Sequence, residues 1–479
     1  MAKVKAWKDG APGAPSYPDD FEIVKKAVLQ FTDLKANNNK YYGIELHKAG
    51  AHDYRVYTHY GRTDDLETNP NAGARESRYY PGDPAGAQAC YDQIYREKTA
   101  PSKGYKELSL ASSKIGSHKA RGTSSGHVDD KTLEKIAGKA DAPKPKVQPS
   151  TLPPGVQSLI SYIYDEATNA LTSTVAAKIT ANGIETPLGV LTIGQIEKGE
   201  AILTTAYQLF QQEKKPKSYA DELSRLSGEF YTLIPHRIGR TRAAIQEAVI
   251  DTLAEFEQKQ ETLQLMKDML KVNGEGDNIL FDSQIDQKYK ALGCEVGWVE
   301  PGSGNFKELE DYVLRSQVKH KNVKVKNIYT LQRKAEREVY DASVGNERLL
   351  FHGSRIKNWV GILSRGILLP KIVVSLGVNR TDAGWLGNGI YFGDAACTSS
   401  FYTSPGRKGT RLMSLARVGL GKMKEFTKIT YGIQEPPAGF HSCHGVRRKA
   451  GVNSQFDDDE YVVYRTQQQK LEYLVEFTS

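Results

Sequence analysis

Cysteine is scarce in this chain: 4 residues in 479, Cys90, Cys294, Cys397 and Cys443, none paired as C-x-x-C. That excludes zinc-finger spacing, argues against a disulfide framework and suits a reducing compartment. Long apolar runs are lacking as well. No stretch approaches the roughly 20 residues of a membrane-spanning helix. The opening Met-Ala-Lys-Val-Lys-Ala-Trp leads into no apolar segment of the kind a signal peptide needs. A soluble intracellular protein with no membrane partner is expected. Strong charge imbalance is missing too: the net charge is +8 and the pI about 8.9. Such a balance permits a polyanionic partner without demanding one. No internal repeat is visible.

What is present suits a folded, multidomain chain. Hydrophobic content is 39% and charged content 25%, ordinary for globular proteins. Residues 1–20 hold Gly10, Pro12, Gly13, Pro15 and Pro18 and read as a flexible lead. Residues 21–122 have strand character at Tyr41–Leu46 and Tyr54–Thr58, then a helix over Ala85–Lys98, an α+β pattern. Residues 123–150 read as a linker with a short helical piece near Asp130–Ala137. Residues 98–146 carry eleven Lys or Arg against five Asp or Glu, so most of the excess charge is local. Residues 151–275 turn helical. Val156, Leu159, Ile160 and Ile163 share one face, Ile196, Ile202, Leu203 and Tyr207 suggest another helix, and Ile245 to Leu270 suggests one long helix. No strand signal interrupts this all-α stretch. Past the Asn273–Asp277 break, residues 276–479 show short β-like runs at Val323–Tyr329, Arg411–Val418 and Glu460–Tyr464, with dense glycine from Gly353 to Gly421.

Three segments concentrate chemistry: Leu349-Leu-Phe-His352-Gly353-Ser354 followed by Gly361, Gly387-Asn-Gly-Ile-Tyr391-Phe-Gly-Asp394 followed by Ser399 and Tyr402, and Asp459-Glu460-Tyr-Val-Val-Tyr464. Singly, each has an ordinary explanation: a core histidine, a packed tyrosine, a solvated strand end. In this order and spacing they resemble the catalytic core of the poly(ADP-ribose) polymerases, with its His-Tyr-Glu signature. The resemblance implies an α+β ADP-ribosyltransferase domain with two antiparallel-rich sheets around an NAD⁺ cleft. It implies NAD⁺ as substrate and no metal.

By that resemblance, Glu460 binds the 2′-hydroxyl of the nicotinamide ribose, steadies an oxocarbenium-like transition state and polarises the acceptor. His352 orients the adenosine ribose. Gly353 pairs with the carboxamide through its backbone, where a missing Cβ leaves room for the ligand. Ser399 adds a hydrogen bond, Tyr402 stacks on the pyridinium ring and Tyr391 closes the other side. Ser354 and Gly361 match positions near the adenosine half. Two departures remove positive charge: Leu368 stands where the family often has arginine, and Thr398 where it has lysine. Arg365, Lys371 or Arg380 is the candidate to compensate. A donor-site loop is expected over residues 371–383. The cluster His441-Ser-Cys443-His444 is too tight for tetrahedral zinc ligation, and a loop near the acceptor side is the preferred reading.

Two further resemblances precede this domain. Thr186-Pro-Leu-Gly189 and Phe230–His236 are similar to the family's regulatory helical domain, which implies a bundle that hinders NAD⁺ entry until a partner loosens it. Asn39–Tyr42 and Tyr54–Arg62 resemble the WGR module, with Tyr60 in place of its tryptophan. This implies DNA binding through Tyr60, Gly61 and Arg62, against the plain alternative of a turn between strands. The functional expectation is a DNA-damage-responsive, monomeric enzyme that builds poly(ADP-ribose) on itself and other proteins at DNA ends or nicks. Transfer of a single unit, or DNA-end binding with weak or no turnover, stand as alternatives. Its place is the nucleus in a eukaryote, the cytoplasm or nucleoid in a bacterium.

Overall fold

The structure, a computed structural model, describes residues 4–128, 149–180, 183–238, 241–275, 285–317, 320–369 and 384–479. The expected helical piece at 130–137, most of the linker, the end of the Asn273–Asp277 break and the donor-site loop lie outside the described residues. The chain forms two compact units: Met1–Pro145 with Leu171–Leu270, and Lys146–Ala170 with Lys271–Ser479.

In the first unit, a six-stranded antiparallel sheet runs in the order Trp7–Lys8, Ala74–Pro81, Asp53–Arg62, Asn38–Ala49, Glu22–Asp33, Lys106–Glu107. Tyr42, Ile44 and Leu46 alternate onto one face, where helix Pro84–Thr99 covers them with Ala87 and Tyr91. Pro84 sits in its first turn and Asp83 caps it through Gly86 N–H at 2.8 Å, a start signal of the usual kind. The opposite face is buried too. There Glu45, 2% exposed, accepts from Ser117 N–H at 2.8 Å, from Ser117 Oγ at 2.6 Å and from His47 Nε2 at 2.6 Å. A carboxylate survives such burial because its lone pairs are filled. The lead is partly tied down: Trp7 and Lys8 pair with Ser77 and Glu76, and Tyr17 donates to Asp53 O. The twelve-residue strand Glu22–Asp33 escaped the sequence reading because its charges mask the alternation.

The helical part of this unit holds Ile193–Phe210, Tyr219–Leu233, Arg242–Glu247 and Leu253–Glu275, the last of which belongs here as far as Leu270. It also carries three strands that periodicity did not announce, Lys178–Thr180, Gly183–Glu185 and Gly189–Leu191. Three residues are too few to show a period. The last pairs with Leu110–Ser113 from the preceding module, and Gln195, fully buried, accepts from Ser109 N–H at 2.9 Å. The single long helix expected from Ile245 to Leu270 is two helices. The break is a capping box: Glu255 N–H donates to Thr252 Oγ1 at 3.3 Å, and Thr252 N–H donates back to Glu255 Oε2 at 3.0 Å. The signal Thr252-x-x-Glu255 was in the sequence, obscured by apolar residues that keep helical spacing across it.

In the second unit, the beginning of helix Pro154–Thr174 packs with Val156, Leu159, Ile160 and Ile163 buried as their spacing required. Its polar side grips the segment after Tyr402: Tyr162 donates to Thr410 O at 3.2 Å, Lys408 to Ser158 Oγ at 3.0 Å and Arg407 N–H to Glu166 at 2.8 Å. The sheet orders nine strands as Cys294–Val299, Lys324–Arg333, Gln469–Thr478, Arg411–Gly419, Glu347–Ser354, Ile390–Gly393, Glu460–Val463, Ser442–Gly445, Met423–Phe426. Only the final pair is parallel. The expected two sheets are two halves of this order, joined by one residue pair, Phe351↔Gly393. Phe351, Met413, Leu415, Val475 and Phe477 form the core of the larger half; Leu386, Cys443, Phe456 and Val462 that of the smaller.

The capping box makes a direct test. Thr252→Ala should lower stability by about 1 kcal/mol, read as a drop in the urea midpoint of the helical signal; an unchanged midpoint would show that the break is held by packing alone.

Candidate active site

The junction of the two half-sheets brings the sequence motifs together. Glu347–Ser354 pairs along its whole length with Arg411–Gly419, yet meets Ile390–Gly393 at a single position. Tyr391 therefore keeps a carbonyl near the junction that His352 satisfies, with Nδ1 2.9 Å from that oxygen. A carbonyl only accepts, so Nδ1 carries the proton and Nε2 is left as an acceptor. Burial pushes the His352 pKa down, and a neutral ring is what remains. Such a ring positions a hydroxyl; it does not supply charge.

Tyr391 uses its hydroxyl internally. It donates to Gly387 O at 2.7 Å and accepts from Leu386 N–H at 2.9 Å, so it fixes the loop before its strand and offers the site a ring face. Burial pushes its pKa up. Glu460 heads its strand opposite Gly393 on one side and Gly445 on the other. Neither neighbour has a Cβ to crowd the carboxylate. Burial, then the charge of Asp458, pushes its pKa up to about 7.

Gly353 also answers to a packing constraint. A Cβ there would lie 2.0 Å from Ser399 O. The glycine admits the short helix Ala396–Ser400 against its strand; the close approach comes from protein backbone. Ser399 is thereby buried beside it, while Tyr402 stands 59% exposed at the mouth. Together His352, Gly353, Tyr391, Ser399, Tyr402 and Glu460 line one cavity of about 70 Å³. Phe392, Gly393 and Thr398 line it too and were missed as lining residues. Thr398 has a buried Oγ1 with no hydrogen-bond partner among the described residues. A buried orphan hydroxyl costs about 1–3 kcal/mol, so this position offers a neutral hydrogen bond to whatever enters the cavity.

Ser354 and Gly361 stand beside this cavity without lining it. Ser354 Oγ accepts from Asn358 at 3.3 Å, and Gly361 is buried in helix Trp359–Arg365. Leu368 is exposed. Arg365 turns back to Gly366 O at 2.8 Å. Lys371 and Arg380 lie outside the described residues. The segment read as a loop at the acceptor side includes a strand, Ser442–Gly445. His441 Nδ1 accepts from Lys422 N–H and His444 Nε2 meets Asp459 at 2.7 Å. Among the described residues no group of three His, Cys, Asp or Glu could hold a metal ion.

In the first unit, Tyr60, Gly61 and Arg62 end the strand Asp53–Arg62 and do not form a turn. Tyr60 stacks on Tyr42 with ring centroids 5.3 Å apart and donates to Glu76 at 2.8 Å. Arg62 donates to Asn37 O and Asp64. With Lys40, Lys98 and Tyr105 they line a groove of about 480 Å³, basic and aromatic together. Among the described residues no helix is long and apolar enough to cross a membrane.

Comparison with known proteins gives three family matches. Residues 25–111 match the WGR domain, 150–276 the poly(ADP-ribose) polymerase regulatory domain and 303–454 the poly(ADP-ribose) polymerase catalytic domain. The chain is 35% identical over 330 residues to protein mono-ADP-ribosyltransferase PARP4 of Homo sapiens, covering 69% of this chain and 18% of that protein. It is 27% identical over 455 residues to poly [ADP-ribose] polymerase 2-A of Oryza sativa subsp. japonica, covering 91% and 64%. To protein mono-ADP-ribosyltransferase PARP3 of Homo sapiens it is 23% identical, covering 97% and 89%. The chain thus spans under a fifth of the first of these relatives and just under two thirds of the second.

Gly353→Ala tests the packing account. It should collapse the site and lower the melting temperature by several degrees, whereas Gly304→Ala, whose Cβ would meet nothing within 4 Å, should leave both intact. Equal behaviour of the two variants would refute it.

Proposed function

Because this chain belongs to the poly(ADP-ribose) polymerase family, we propose that it transfers ADP-ribose from NAD⁺ to protein acceptors, itself included, in response to damaged DNA. The observation that carries this reading is the convergence of His352, Tyr391 and Glu460 on one cavity beside Gly353, Ser399 and Tyr402. NAD⁺ carries a positive charge on its nicotinamide, which leaves neutral without a general acid. One carboxylate therefore suffices where a glycosidase uses two. The bond from the anomeric carbon to nicotinamide nitrogen breaks, a bond to the acceptor oxygen forms, and the acceptor's proton passes by way of Glu460 to solvent. Glu460 holds the ribose 2′-hydroxyl and stabilises positive charge at the anomeric carbon. Neutral His352 accepts from the adenosine ribose through Nε2. The exposed ring of Tyr402 is free to stack on the pyridinium. Ser354 and Gly361 support the adenosine side through the strand end and helix that carry them.

Polymer is the favoured product, because the glutamate credited with elongation is present. Transfer of a single unit is the second reading, and the 35% identity to a protein named as a mono-ADP-ribosyltransferase favours it. The experiment is incubation of the chain with labelled NAD⁺, with and without nicked DNA, followed by gel analysis of product size. Long DNA-stimulated products that shorten in Glu460→Gln, with transfer slowed about 10²-fold or more, are expected. No label on any protein under either condition would dismiss the enzyme.

The division into WGR-like module (21–122), helical domain (151–275) and catalytic domain (276–479) is proposed with DNA held at the groove of Tyr60, Gly61 and Arg62. The helical domain restrains NAD⁺ entry in this scheme. Residues 154–170 belong to the compact unit that holds the site, so a test must spare them. Replacing residues 171–270 by a flexible linker should raise DNA-independent activity; a folded variant with unchanged basal rate would contradict the restraint.

A further inference from the structure

Arg447 lies outside the cavity and outside the motifs that drew attention to the site. Its side chain is only 18% exposed, yet it meets three carboxylates. Nη2 donates to Asp394 at 3.0 Å, while Nε and Nη1 stand 3.6 Å from Asp458 and 3.8 Å from Asp459. Its backbone N–H donates to Asp459 Oδ1 at 3.1 Å. The ends it joins are those that frame Glu460. Asp394 directly follows Gly393, the residue opposite Glu460, and Asp458 and Asp459 directly precede Glu460.

The charges around Glu460 are uneven. Among the described residues, titratable groups approach from each neighbouring element: His352 from Glu347–Ser354, Tyr391 and Asp394 from the next strand and its end, Tyr402 after the short helix, and His444 from Ser442–Gly445. His352 is kept neutral by burial, and His444 is engaged with Asp459. Arg348 is turned to the Tyr461 hydroxyl at 2.9 Å. Three aspartates therefore surround the strand end, and the guanidinium of Arg447 is the permanent charge set among them. Beyond burial, the charge of Asp458 raises the Glu460 pKa, and the guanidinium lies 3.6 Å from Asp458, where an opposite charge offsets it.

We propose that Arg447 is a positioning residue for the transfer reaction: it ties together the two strand ends that frame Glu460 and pairs with the aspartates at those ends. Its consequence for turnover rests on the role of Glu460 proposed above, while its electrostatic part concerns the free protein and stands independently.

The test uses the full chain with ¹³C-labelled glutamate carboxyls, the Glu460 signal being identified by its absence in Glu460→Gln. Wild type should titrate at about 7. In Arg447→Gln, where Asp458 loses its counter-charge, the midpoint should rise, and Arg447→Lys should return it close to the wild-type value. The kcat/KM for NAD⁺ should fall as the pH drops through the same midpoint in each protein. Arg447→Gln should accordingly recover most of its rate at alkaline pH. Should Arg447→Gln fail to fold, the comparison is made on the Asp394→Asn background, which leaves one fewer carboxylate unpaired. An unmoved Glu460 midpoint, or a loss that is equal at every pH and not rescued by lysine, overturns the proposal. A shifted midpoint in a chain that never turns over NAD⁺ would instead defeat the enzymatic reading and leave the electrostatic one in place.

Discussion

The site depends on a junction that is nearly broken. Two half-sheets meet through one residue pair, Phe351↔Gly393, where a continuous ladder would have consumed every backbone group. Because pairing stops there, the Tyr391 carbonyl turns to His352, and the imidazole tautomer follows from that bond. The cavity opens on the same spot. Gly353 extends the effect by letting a short helix settle against its strand, which brings Ser399 into the wall. A longer ladder would have made a stronger sheet and left no room for a ligand.

Polarity at this place is costly and is offset locally. Glu460 is buried enough to resist ionisation, and Thr398 holds a buried hydroxyl with no partner among the described residues. Such groups are uncommon in native interiors. The surrounding salt-bridge cluster of Arg447 with Asp394, Asp458 and Asp459 fixes the strand ends that hold the carboxylate.

In the first unit the same logic of shared backbone appears at larger scale. Leu110–Ser113 follows the six-stranded module, yet pairs with Gly189–Leu191 from the helical part. A ladder of this kind couples two segments more tightly than side-chain packing between separate domains would. It also explains why the helical stretch needs strands at all: they are the surface through which it joins its neighbour.

Much was legible in the chain itself. Helical spacing located Pro84–Thr99, Pro154–Thr174 and Ile193–Phe210, and aromatic and β-branched runs located the strands at 38–49, 53–62 and 411–419, because local period and propensity suffice for long elements. The motifs pointed to His352, Tyr391 and Glu460, and the fold brings the three to one cavity. What the sequence could not carry was set by contacts between distant segments. The strands of three residues have no period of their own. Gly353 owes its identity to a carbonyl 46 positions away, and Arg447 owes its importance to carboxylates from two other strand ends. Those are pairings across the chain, and only the folded arrangement brings them within reach.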